Sequence, residues 1–185
     1  MKEQLLKRKL HIIWLLIAAV LVGLYRLTKW LVTSNMELRE TISIIKAGDT
    51  EVLNIHYCLN DGAAWSSLSG QTALLIVFTS VVIAVLLFLM ISGKLKRHVN
   101  IAAIGLVIGG GIGNLIDRVF NGGRVVDFID FRIINFPVFN FADICAVCGA
   151  GLVLLTIIAD EIRELRKKFS KPKSEISGDG SDGKA

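Results

Sequence analysis

The sequence predicts an α-helical integral membrane protein with four transmembrane helices and a small extracytoplasmic segment of strand and short-helix character between the first and second. Three observations predict it. Of 185 residues, 53% are hydrophobic and 20% charged, with a mean hydropathy of +0.61; a soluble domain has about 45–50% and 25%. The charges avoid four long apolar stretches. The Lys and Arg residues that flank those stretches gather on alternate connections, as residues that set membrane orientation do. The net charge of +5 therefore marks span ends and not a nucleic-acid surface, and no nucleic-acid partner is expected.

The first span is placed at about residues 11–32, where His11 to Leu24 is apolar and Tyr25, Leu27 and Trp30 to Val32 extend the run. Roughly 20 such residues cross a bilayer as a helix. Lys2, Lys7, Arg8 and Lys9 precede it. With no small-residue cleavage site after it, the run reads as a retained anchor. Arg26 and Lys29 near its far end are expected to snorkel to the interface, at the depth that suits Trp30.

Residues 33–70 are different. Charged residues such as Glu37, Arg39, Lys46 and Glu51 alternate with Leu38, Ile42, Ile44 and Val52, and no run is long enough to span. Strand and short-helix structure outside the membrane is expected. His56 has no second His at ligand spacing, so no metal is expected there.

Thr72 to Ile91, almost wholly Leu, Ile, Val, Ala and Phe, makes the second span, followed by Lys94, Lys96, Arg97 and His98. The third, at about 101–117, carries Gly105, Gly109 and Gly113 four apart on one helix face, where a neighbouring helix can approach closely. No Lys-Ser or Lys-Thr follows these glycines, so they do not read as a phosphate loop. The fourth span, about 141–159, contains Cys145-Ala146-Val147-Cys148. That spelling lies in an apolar run without a βαβ pattern, and these cysteines read as small packing residues. Three cysteines are also too few for a disulfide framework. Residues 1–169 thus read as a single polytopic domain, with 170–185 a polar tail expected to be disordered.

Basic clusters at both termini and between spans two and three fall on one side of an even number of spans, and the positive-inside rule makes that side cytoplasmic. The 33–70 segment and the 117–140 connection then face outward. That second connection holds the unusual chemistry. Asp127 and Asp143, sixteen residues apart, flank a stretch able to loop back and bring them together at a membrane boundary, where ionisable groups are costly. Two carboxylates at short range share a proton and offer one base and one acid, which is the logic of aspartic peptidases. Taken alone the residues also fit a capped helix, with Asn140 as cap and Asp143 as an early-turn acid. Asp117 beside Arg118 reads as a structural ion pair.

The strings add a resemblance. Gly109-Gly110-Gly111-Ile112-Gly113-Asn114-Leu115-Ile116-Asp117-Arg118, then Val125-Val126-Asp127-Phe128, then Phe139-Asn140-Phe141-Ala142-Asp143 resemble in order the signature of the prolipoprotein signal peptidases, or signal peptidase II. Weaker matches occur at Thr28-Lys29 and at Asn60-Asp61-Gly62-Ala63-Ala64-Trp65-Ser66. The resemblance implies a membrane aspartic endopeptidase of the bacterial plasma (inner) membrane that removes signal peptides from prolipoproteins, cutting before the diacylglyceryl-modified cysteine. It implies Asp127 and Asp143 as the catalytic pair and puts Asn60, Asn114, Arg118 and Asn140 at the substrate site. No cofactor or metal is expected, the expected inhibitor is globomycin, and a monomer is expected. One departure stands out. Where the family commonly has Asp-Gln, this chain has Tyr25-Arg26, which leaves a silent lipoprotein- or lipid-binding protein as the competing class. An ion or proton carrier fits less well, since no internal repeat is present and the acids sit at one membrane edge.

Overall fold

The computed structural model describes residues 2–63, 67–95, 97–134 and 136–170. Helix α1 spans Lys2–Asn35, α2 Thr72–Ile91, α3 His98–Phe120 and α4 Phe141–Ser170; strands β1, β2 and β3 span Thr41–Ala47, Thr50–Asn60 and Val125–Phe131. All four helices are long and apolar enough to cross a membrane, so the chain is multi-pass. Ala64, Trp65 and Ser66 of the matched string, and the predicted tail beyond Ser170, lie outside the described residues.

Helix α3 is the hub, packing against α1, α2 and α4. Its glycine face lets α1 in. A Cβ on Gly105 would lie 3.3 Å from the Trp14 ring, one on Gly109 3.3 Å from the Ala18 carbonyl oxygen, and one on Gly113 2.9 Å from the Tyr25 ring. Gly110 faces α4 instead, where a Cβ would stand 2.9 Å from the Ala146 nitrogen. Ala18, Met90, Ile101, Ile104 and Ile108 fill the core where α1, α2 and α3 meet. Helix α4 runs past its apolar stretch because Asp160–Arg163 and Glu164–Lys167 pair at i,i+3 along its surface, which supports a solvated helix.

The strands form one antiparallel sheet in the order β1-β2-β3. The hairpin β1–β2 supplies the strand character expected of residues 33–70. Strand β3 was not foreseen, because Val125–Phe131 sits in the connection between spans three and four. Gly122 and Gly123, at φ +60° and +90°, turn the chain out of α3 and feed it into β3; such angles suit glycine because it has no Cβ. Val126, Phe128 and Ile129 then pack with Val32 of α1 and with Leu53 and Ile55 of β2. The sheet therefore caps the end of the bundle at which α1 and α3 finish and α4 begins.

Candidate active site

Two elements arriving at that end of the bundle bring the predicted carboxylates together. Asp127 comes from β3 and Asp143 from the first turn of α4. Asn140, fully buried, joins them: its Nδ2 donates to Asp127 Oδ1 at 2.6 Å, and its backbone N–H donates to Asp143 Oδ2 at 3.0 Å. The same side chain caps α4, its Oδ1 accepting from the N–H groups of Ala142 at 2.8 Å and Asp143 at 3.2 Å. Asn140 and Asp143 thus bond reciprocally, each side chain to the other's backbone, in a capping box. The helix-cap arrangement and the paired carboxylates are one structure, because the cap residue carries the bridge.

Neutral amides hold the remaining carboxylate oxygens. Asn60 at the end of β2 donates to Asp127 Oδ2 at 3.0 Å, and Asn114 of α3 donates to Asp143 Oδ1 at 2.6 Å. Asp127 is 2% exposed. Burial pushes its carboxyl up to about 7 and the nearby charge of Asp143 adds to the rise, while hydrogen bonds from Asn140 and Asn60 and the charge of Lys29 oppose it. A carboxylic acid at that value carries a proton near neutrality, so the pair can present one acid and one base.

All six predicted site residues lie in this one region. Arg118 extends from the end of α3 and its Nη2 donates to the Gly62 carbonyl at 2.8 Å. Gly62 in turn donates its N–H to Asn60 Oδ1 at 2.9 Å, so Arg118 pins the turn that follows β2. Arg118 Nε, buried, has no partner among the described residues.

Two expectations about charge need correction. Asp117 does not pair with Arg118. Its Oδ2 accepts from Lys29 Nζ at 2.7 Å and from the Val126 N–H at 3.0 Å, and its Oδ1 from Arg26. On α3 a residue and its immediate neighbour point to different faces, which sends Asp117 toward α1 and Arg118 toward the turn after β2. Nor does Lys29 snorkel. Only 2% exposed, it turns inward and also donates to Asn114 Oδ1 at 2.8 Å, because buried Asp117 gives its ammonium a partner. Lys29 is the buried residue beside this region that sequence reasoning left at the interface; the weak match at Thr28-Lys29 was its only other signal. Tyr25 is likewise interior, 3% exposed, packed on Gly113 and beside the Cys145 thiol.

Cys58, the cysteine beside the pair, offers no competing nucleophile. Cys58 sits opposite Asp127 in the sheet, and its thiol is pushed up to about 12 by burial and by the charges of Asp127 and Asp130. His56 is engaged across β1–β2, its Nδ1 lying 2.6 Å from Thr41 Oγ1. Among the described residues no group of three or more His, Cys, Asp or Glu could hold a metal ion.

Comparison with known proteins fits this geometry. The family profile described as signal peptidase (SPase) II matches residues 17–159. The lipoprotein signal peptidase of Halalkalibacterium halodurans is 37% identical over 158 residues, 84% of this chain and 98% of that protein. The lipoprotein signal peptidase of Bacillus subtilis is 35% identical over 159 residues, 84% and 99%. Two bacterial membrane enzymes solved by the in meso method are similar in structure. One has a TM-score of 0.74 at 31% identity, covering 88% of this chain and 93% of that one. The other has 0.69 at 33%, covering 80% and 93%.

Proposed function

The chain belongs to the lipoprotein signal peptidase (signal peptidase II) family and is an aspartic hydrolase of the membrane with a lipoprotein substrate; from that premise we propose that Asp127 and Asp143 are its catalytic pair and that it cuts before the diacylglyceryl-modified cysteine of a prolipoprotein. The observation that carries the proposal is the carboxylate pair, Asp127 buried and Asp143 half-buried, bridged by Asn140.

The mechanism assigns the shared proton to Asp127, whose carboxyl is raised to about 7, and leaves Asp143 ionised. Asp143 takes a proton from a water held between the two groups, and the water oxygen attacks the scissile carbonyl carbon. Asp127 gives its proton to the carbonyl oxygen, and a neutral diol forms. Collapse of the diol returns a proton to Asp127 and breaks the C–N bond. The amine leaves with the proton that Asp143 had taken. Both carboxyls are then back in their starting states, and no metal or organic group takes part. The titration belongs to the pair.

Asn60, Asn114 and Asn140 act in this reading as positioning residues, each bonded to a carboxylate oxygen. Arg118 holds the Asn60–Gly62 turn and keeps Nε as a buried donor for a substrate carbonyl. The substrate's lipid favours a site at the membrane boundary, and the site lies where β3 meets the helix ends. We place that end outside the cell, with both termini cytoplasmic, on the basic clusters at the opposite ends of the spans. A Ser67→Cys variant lacking Cys58 should be labelled in intact cells by an impermeant thiol reagent; labelling only after lysis would reverse the orientation.

Purified protein given a diacylglyceryl-modified prolipoprotein should release the signal peptide, and globomycin should block the release. Equal cleavage of the unmodified precursor would refute the lipid requirement. The pH dependence follows from Asp127. Above about 7 the acid loses its proton, so kcat/KM should fall as pH rises through that value. Folding stability from this group has the same sign. It is fully present below the ordinary carboxyl value of 3.8 and lost as pH rises through about 7, because the folded chain binds the proton more tightly than the unfolded one.

A further inference from the structure

A cavity of about 410 Å³ opens beside Lys29, walled by the outer part of α1, by β2 and by the turn from α3 to β3. Arg26, Lys29 and Arg124 line it, with Trp30, Tyr57 and Asn121. Neither Asp127 nor Asp143 is among its lining residues. The volume falls in the range of roughly 300–1,000 Å³ typical of small-ligand pockets.

Its charge is unbalanced. Arg26 and Lys29 share the single buried carboxylate of Asp117, and Arg124, exposed, has no side-chain partner among the described residues. Three cations therefore answer to one anion, and the surplus faces the cavity. Guanidinium groups present forked N–H donors that match phosphate oxygens, and Asn121 and Tyr57 add neutral hydrogen-bonding groups. The cavity opens at headgroup depth. Trp30, 59% exposed, is the amphipathic ring expected at a membrane–water boundary. Next to it on α1, Leu27 and Leu31 are exposed apolar residues along which acyl chains can run.

We propose that this cavity binds the phosphate diester headgroup of an anionic membrane phospholipid, with Arg124 and Arg26 as the principal contacts and Trp30 at the chain–headgroup junction. The guanidinium groups recognise the phosphate by forked, charge-assisted hydrogen bonds. A zwitterionic lipid is a poorer fit, since its ammonium meets three cations. The inference rests on the cavity and the membrane fold and is independent of the peptidase reading.

The test is native mass spectrometry of the full chain released from mixed micelles of phosphatidylcholine and phosphatidylglycerol, with and without millimolar inorganic phosphate. The wild type should retain phosphatidylglycerol in preference to phosphatidylcholine, and free phosphate should not displace it. Arg124→Gln should weaken phosphatidylglycerol retention about fivefold, the effect of one basic residue near an anionic surface, and Arg124→Lys should keep most of it. Thermal unfolding in phosphatidylcholine micelles checks that both variants are folded. Equal retention of the two lipids, or full retention by folded Arg124→Gln, overturns the proposal. Displacement by inorganic phosphate at the same concentration as the lipid assigns the site to free phosphate and overturns the lipid as its occupant.

Discussion

Two clusters of buried charge sit back to back at the same end of the helix bundle, and Asn114 touches both. On one side Asp117 is met by Lys29 and Arg26; on the other Asp143 and Asp127 are met by neutral amides. Asn114 Oδ1 accepts from Lys29 and its Nδ2 donates to Asp143. The first cluster compensates its carboxylate with cations. The second holds two like-charged groups by hydrogen bonds from neutral amides, with the charges of Lys29 and Arg118 acting on them but no ion pair among the described residues, and Asp127 is raised toward holding a proton. A buried charge that is paired is a structural device. A pair of acids held by amides, as the proposed function requires, can pass a proton on. The difference lies in the neighbours and not in the residue type, because all three groups are aspartates.

The comparison is broken most severely at the reactive cluster. Asp127→Asn or Asp143→Asn should each lower kcat by roughly a thousandfold or more while leaving the protein folded. Asp127→Asn should also remove the loss of stability with rising pH that the raised carboxyl imposes. Thermal unfolding of that variant across pH 5 to about 8, beside its turnover, separates the two roles.

The compensated cluster should respond in stability. Lys29→Met strips Asp117 of its buried partner, and breaking such a pair costs about 3–5 kcal/mol, measured by reversible unfolding in mixed micelles. Arg26→Gln sharpens the contrast within the cluster. Arg26 reaches the same carboxylate but is 43% exposed, so its loss should cost no more than about 1 kcal/mol. If Arg26→Gln proves as damaging as Lys29→Met, then burial is not what makes the cluster structural.

The four spans were legible in the sequence because lipid demands long apolar runs and puts Lys and Arg at their ends. The gathering of Asn60, Asn114, Arg118, Asp127, Asn140 and Asp143 in one region was legible because polar residues at a membrane boundary are few and recur in a resembling order. Strand β3 was not, since its partner β2 lies some 70 residues earlier in the chain and local sequence carries no mark of that pairing. Lys29 was not, since whether a lysine near a span end snorkels or turns inward depends on a carboxylate 88 residues away. Tyr25 is likewise set inward. In the interior beside Gly113 the aromatic ring fills space that an Asp would leave empty.

The central claim is that Asp127 and Asp143 act as one acid–base unit, and the double-variant cycle tests it most directly. Cleavage of a diacylglyceryl-modified substrate is measured for Asp127→Asn, Asp143→Asn and the double variant, each purified folded in detergent. The account predicts that the double variant is scarcely slower than either single one, because removing one member already disables the unit. Substantial turnover by either single variant, or losses that multiply in the double, would contradict it.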